Sequence, residues 1–263
     1  MKTIVITGST RGIGFGLADS FLERGCEVVV SGRTQAAVDA AVNSLNIKYE
    51  PSRAFGIVCD VTQCDQVQVL WNAAATHFGK VDIWINNAGL GHSQSNFCEF
   101  DPEEVRLVVE TNLLGAMYGS MVAMRKMVTQ GFGGIYNVEG LGSGASPRVK
   151  GLSLYGTTKA GLRYLDDYLV SEAKGTPVII GMIRPGMVAT DMLTRQFEGN
   201  PAEWEKAKRI FNILSDRVET VTPWLADNIL ANHKNGARIS WSSSWKIFGR
   251  FLLAPFHNRK IFD

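Results

Sequence analysis

The chain has 263 residues, 45% of them apolar, and a formal net charge of +2. That length and composition suit one α/β domain with a full core; so small a charge, with no basic run, excludes nucleic acid as an expected partner. The longest apolar runs, such as Val178-Ile179-Ile180, are too short to span a bilayer, and Cys26, Cys59, Cys64 and Cys98 lack metal-ligand or disulfide spacing, so no metal is expected.

The chain opens almost directly on an apolar strand, Thr3-Ile4-Val5-Ile6. No signal or transit peptide is legible before it, which points to the cytoplasm, or to a plastid if a transit peptide has been removed. Next comes Thr7-Gly8-Ser9-Thr10-Arg11-Gly12-Ile13-Gly14, then an amphipathic stretch to about Arg24. A strand, a glycine-rich turn and a helix start bring backbone N–H groups and a helix N-terminus against a pyrophosphate. Gly8 would permit the tight turn, Gly12 the approach of the phosphate, and Gly14 close helix–strand packing. Residues Gly8, Ser9, Thr10, Arg11, Gly12, Ile13 and Gly14 are the candidate cofactor loop.

A second strand, Glu27-Val28-Val29-Val30, ends in Ser31-Gly32-Arg33. An acidic residue here would bind the ribose 2′-hydroxyl of NAD. Arg33 instead suits a 2′-phosphate through charge-assisted bonds, and Arg11 adds a second cation, so NADP(H) is favoured over NAD(H). The plainer alternative makes Arg33 a solvated loop cation. Further Val/Ile-rich runs lie near 55–59, 81–86, 134–138, 177–183 and 237–241, with helical patterns between most of them. This alternation predicts a single α/β domain: a Rossmann-type, doubly wound parallel sheet of about seven strands with helices on both faces. Ligand then sits at the carboxyl ends of the strands.

Tyr155 and Lys159 stand at i and i+4 of a predicted helix, on one face. A cation about 5 Å from a phenol, at an effective dielectric near 20, contributes on the order of 3 kcal/mol. That predicts a phenol pKa about two units below its ordinary value, suited to proton transfer near neutral pH.

Together these features resemble the short-chain dehydrogenase/reductase family over about residues 1 to 240. The resemblance rests on the T-G-x-x-x-G-x-G loop, Asn86-Asn87-Ala88-Gly89, Asn112, the Tyr155/Lys159 pair and Pro185-Gly186 with Thr190. It implies hydride transfer between a nicotinamide and a carbonyl carbon. Asp60 and Val61 look like its adenine contacts, Asn87, Ala88 and Gly89 line its cofactor site, and Pro185, Gly186, Val188 and Thr190 seat the nicotinamide. Tyr155 would protonate the alkoxide. Lys159 would tune Tyr155 and hold the ribose, and Asn112 would order a water leading protons to Lys159. The resemblance also implies a homodimer or homotetramer.

The family's serine after the fifth strand is displaced. Aligned on that strand, its position falls on Gly140; aligned on Tyr155, it falls beside Ser143. Ser143 is the chosen carbonyl-binding donor, with Ser146 and Ser153 as weaker candidates. Glu139-Gly140-Leu141-Gly142-Ser143-Gly144 and the Y-G-x-T-K-x-G-L-R run further resemble the chlorophyll b reductase branch. That branch reduces a 7-formyl group.

The remaining segments bear on substrate. Residues 191–217 read as a lid over an apolar carbonyl or alcohol substrate, or as a segment packed on the core. Residues 242–263 form an aromatic and basic tail, with Trp245, Phe248, Phe251, Phe256, Lys246 and Arg250. It suits docking on the chain itself or a second copy, or peripheral contact with a membrane. Residues 1–241 make the catalytic unit. His92, His233 and His257 have no identifiable partner. A reductase of other small aldehydes or ketones and a non-catalytic NADP(H)-binding sensor are the rival readings, the sensor being favoured by the displaced serine.

Overall fold

The computed structural model describes residues 1–144, 148–254 and 259–262. Ser146, Phe256 and His257 lie outside the described residues. Strand and helix alternate from the start: β1 (Thr3–Ile6), α1 (Gly12–Glu23), β2 (Glu27–Gly32), α2 (Gln35–Lys48), β3 (Ala54–Val58), α3 (Cys64–Phe78) and β4 (Ile83–Asn86). Two abutting helices follow, α4 (Pro102–Val109) and α5 (Gly115–Gln130), joined by a π turn over Glu110–Leu114. The order continues with β5 (Gly133–Val138), α6 (Ser153–Glu172), β6 (Val178–Arg184), α7 (Asp191–Arg195), α8 (Pro201–Leu214), α9 (Val218–Leu230), β7 (Ala237–Ser240) and α10 (Ser244–Leu253).

Among the described residues, one parallel sheet holds seven strands in the order β3-β2-β1-β4-β5-β6-β7, as the alternation predicts. Successive strand residues point to opposite faces, so both faces need apolar cover. Ile4, Ile6, Val28, Val30 and Ile85 pack against Leu17, Phe21, Leu45 and Leu225 on one side. Val5, Val29, Trp84, Ile135 and Ile180 pack against Leu70, Trp71, Val122 and Met127 on the other. Chain order reverses between β1 and β4. The crevice at their carboxyl ends is where this topology leaves room for a ligand.

The continuous helical span Pro102–Gln130 is long and apolar enough to cross a membrane by length and composition. It is nonetheless a sheet-covering helix, with Val122, Ala123 and Met127 in the core.

The tail docks on its own chain. Asp216 accepts from Trp241 Nε1 at 2.6 Å, from Arg250 Nη2 at 2.6 Å and from Arg259 Nη2 at 2.8 Å. Burial alone would raise the Asp216 carboxyl, but these three donors outweigh it and hold the pKa below the usual range. The outer side of α10 still presents Trp245, Phe248, Leu252 and Leu253 to solvent.

Candidate active site

The glycine loop closes the crevice from the β1 side. Gly8 and Gly12 have φ of 61° and 58°, values open to glycine at little cost. A Cβ on Gly14 would stand 2.5 Å from Gly8 O, so the turn and α1 can close only without a side chain there. The first amides of α1, from Gly12 onward, have no intrahelical partner and form an anion-binding end.

Around them the loop is braced from within. Thr7 Oγ1 accepts from Asn87 N at 3.0 Å and Ala88 N at 3.1 Å, and Asn87 Nδ2 donates to Thr7 O and Gly8 O. Asn87 thus shapes the loop rather than reaching outward. Ser9 is likewise turned inward: it is buried, donates to Ile6 O at 2.7 Å and accepts from Ser31 N. Ile13 turns its side chain toward the core, and Thr10 packs on Gly32.

Arg33 follows β2 and is exposed, while Arg11 stands 3.6 Å from Asp191 at the start of α7. Asp60 Oδ1 accepts from Thr62 N and Oγ1 beyond β3, and Val61 is buried against Gly115. Pro185 and Val188 are buried after β6. Gly186 has φ of 74°, and Thr190 precedes α7.

Tyr155 and Lys159 lie on α6 as the spacing requires, with the ammonium 5.8 Å from the centre of the phenol ring. Their electrostatics differ from expectation. Burial pushes the Tyr155 phenol up to about 12, although part of the residue's surface opens to the cleft. Burial brings Lys159 down to about 8, against the opposing pull of Asp166 and Glu139. In this fold desolvation outweighs the charge–phenol attraction that spacing alone suggests. The ammonium donates to Val138 O at 2.8 Å.

Asn112 lies in the π turn beside them, a distortion frequent at functional sites. Its amide donates to Leu90 O at 2.9 Å and Thr158 Oγ1 at 3.2 Å, while its Oδ1 accepts from Leu90 N. The side chain therefore ties the π turn to the segment after β4.

In the loop after β5, Gly140 stands against the Tyr155 phenol, while Ser143 faces Gly140 and Glu139. A Cβ on Gly140 would stand 2.5 Å from the Tyr155 phenol oxygen, so Gly140 occupies the place nearest the phenol. Ser143 is buried, and its hydroxyl donates to Gly140 O at 2.6 Å with Glu139 Oε2 at 3.4 Å. Its own carbonyl accepts from Arg184 Nη2 at 2.8 Å and Arg163 Nη1 at 3.2 Å. Both arginines also face the buried Glu139 carboxylate. Ser153 is exposed at the first position of α6.

A short chain dehydrogenase family model matches residues 2–201. The chain belongs to the short-chain dehydrogenase/reductase family. This short-chain dehydrogenase/reductase is 34% identical, over all of its length, to an Arabidopsis thaliana protein named probable chlorophyll(ide) b reductase NYC1, chloroplastic. It spans 55% of that relative, or about half. It is 35% identical over 98% of its length to Arabidopsis thaliana chlorophyll(ide) b reductase NOL, chloroplastic, of which 76% is covered. A solved short-chain type dehydrogenase/reductase from Mycobacterium marinum matches with a TM-score of 0.77 at 26% identity, covering 91% of this chain and 93% of that one. The fold of this family accommodates a nicotinamide dinucleotide.

Sequence reasoning missed Thr7, whose hydroxyl braces the glycine loop, and Arg184, which pairs with Glu139 across neighbouring strands. It also left His92 without a partner; in the fold, His92 Nε2 accepts from Tyr155 N at 3.0 Å. No local pattern joins residues so far apart in the chain.

Proposed function

We propose that this chain is an NADP(H)-dependent reductase that converts a carbonyl to a hydroxyl, with the formyl group of a chlorophyll b-like pigment as substrate. The reading is carried by the Tyr155 phenol and the Lys159 ammonium on one face of α6, the ammonium 5.8 Å from the ring centre. A phenol with a pKa of about 12 still donates to a developing alkoxide. Lys159, near 8, then exchanges protons close to neutral pH. Val138 O holds its ammonium in place.

The glycine loop and the first turn of α1 fit a dinucleotide pyrophosphate. Arg33 and Arg11 fit a 2′-phosphate and favour NADP(H) over NAD(H). The bound nicotinamide would supply the hydride. The roles of Gly8, Gly12, Ile13, Asp60, Val61, Ala88, Gly89, Pro185, Gly186, Val188 and Thr190 around it belong to this reading. Asn112 maintains the π turn and with it the approach to Lys159.

The substrate class rests on relatives that align along the whole chain, the tail included, and on the lid. Residues 191–217 bring Met192 against Gly91 and gather Phe197, Trp204 and Phe211 into an aromatic cluster. The exposed aromatics of α10 suit contact with the membrane in which a lipophilic pigment resides. In a plastid, the chain would lie beside such a membrane.

The decisive experiment follows NADPH absorbance and the pigment product with chlorophyllide b. Tyr155→Phe should abolish turnover and keep cofactor binding; retained turnover sinks the reading. Arg33→Ala should raise the KM for NADPH and leave that for NADH in place. One observation favours a non-catalytic sensor: the hydroxyl of Ser143 is committed to Gly140 O. Tight NADPH binding with no turnover on any carbonyl would support that alternative.

A further inference from the structure

We propose that His92 is a positioning residue: its ring accepts the backbone N–H of Tyr155 and fixes the first turn of the helix that carries the phenol. Helix α6 begins at Ser153, and Leu152 before it supplies no side-chain cap. The first-turn amides of such a helix have no partner within it. Tyr155 is the third residue, the place where a capping side chain ordinarily accepts. His92 fills that role from the segment after β4, with Nε2 3.0 Å from Tyr155 N.

The geometry determines the tautomer. Nε2 receives an N–H and so carries no hydrogen itself. Nδ1 stands 2.8 Å from Ser93 O and must carry the proton. The ring is buried at 4% exposure and meets the edge of Phe100 at 4.8 Å. Neutral imidazole is thus the only form that makes both bonds. A protonated ring would lose the acceptor and set a cation against the positive end of α6.

The same segment reaches two other parts of the site. Gln94 N donates to Gln196 O at 3.1 Å on the lid side, and Ser95 N donates to Gly151 O at 3.3 Å just before α6. Gly91 lies against Met192 of α7. A shift at His92 therefore moves Tyr155 relative to the lid as well as to Lys159. The titratable and charged groups on the surrounding segments are the Tyr155 phenol, Glu99, which is bonded to Ser95 and Asn96, and Lys150, whose charge acts on Glu99. None of them bonds either ring nitrogen.

The inference rests on the reductase reading for its kinetic half alone. Protein labelled with 15N-histidine should show one histidine as the Nδ1–H tautomer, and that signal should vanish in His92→Gln. An Nε2–H tautomer at His92 overturns the proposal, whatever the enzyme does. In the kinetic half, His92→Leu should lower kcat by at least about tenfold and leave the KM for NADPH within about twofold, since small displacements of reacting groups are costly. Glutamine can accept the same N–H through its amide oxygen. His92→Gln should therefore restore most of kcat at neutral pH. A Gln variant no faster than the Leu variant, or a folded Leu variant with native kcat, overturns the proposal. Should His92→Leu fail to fold, the kcat of the Gln variant and the tautomer decide. Absence of turnover in the native chain would count against the reductase reading, and the tautomer would still report the bond.

Discussion

Gly140 and Tyr155 share one contact surface: a Cβ on the glycine would stand 2.5 Å from the phenol oxygen. The usual serine of the family, aligned on the fifth strand, would fall on this glycine. The present loop could not carry it without displacing the tyrosine. Gly140→Ala should therefore move the phenol and lower kcat by about tenfold or more. The fold should survive, with a loss of about 1 to 3 kcal/mol from overpacking. Steady-state kinetics beside urea denaturation will separate the two effects. An alanine variant with native kcat would show that the contact relaxes at no cost to turnover.

Glu139 offers a test of how that loop is held. Its carboxylate is buried, pairs with Arg184 and stands 3.9 Å from Arg163, while both arginines also hold Ser143 O. Removing one partner of a buried pair strands the other, and the cost is largest where water cannot enter. Arg184 reaches solvent, which reduces it. Glu139→Gln should cost about 2 to 3 kcal/mol in chemical denaturation. A change under about 0.5 kcal/mol would mean that surrounding polar groups already replace the pair.

The buried tyrosine and lysine set a pH dependence with a definite sign. With the phenol near 12, carbonyl reduction has its proton donor throughout the neutral range. Alcohol oxidation needs the phenolate, so its rate should climb steadily into alkaline pH. Stability follows the shifts as well. Lys159 has its folded pKa lowered to about 8 from 10.5, so the folded chain binds fewer protons than the unfolded one between those values. Its penalty is full below 8 and is relieved as pH rises toward 10.5. Lys159→Met should lose that alkaline gain, measured as Tm against pH. Tyr155 acts in the opposite direction between 10 and 12, where the unfolded phenol ionises first. A reduction rate that falls away between pH 6 and 8, or a Lys159→Met chain with a native Tm profile, would contradict these assignments.

Asp216 governs the tail. Trp241, Arg250 and Arg259 all bond to it, and its own backbone pairs with Met187 and Ala189 beside the lid. Its depressed folded pKa means that its contribution is present above the ordinary aspartate value and is lost as pH falls through the folded one. Asp216→Ala should free residues 242–263 for proteolysis at neutral pH and cost about 3 kcal/mol, because two arginines lose a shared partner. Native chains should show the same cleavage only in acid. Equal protease resistance in the variant would mean that α10 is held by its apolar contacts instead.

The parallel sheet, its strand positions and the Tyr155–Lys159 spacing were legible from residues alone, because Val/Ile runs, glycine turns and i,i+4 faces are local properties of a chain. So was the positive φ of Gly8 and Gly12, which a glycine-rich turn announces locally. The acidity of the phenol was not. Spacing supplies the neighbouring charge, but the desolvation that raises Tyr155 and lowers Lys159 comes from distant segments closing over them. The Gly140–Tyr155 contact, the Glu139–Arg184 brace, the Asp216 hub and the His92 bond to Tyr155 likewise join positions many residues apart. Only packing decides such pairs, since each buried donor takes whichever acceptor the completed fold brings within about 3 Å.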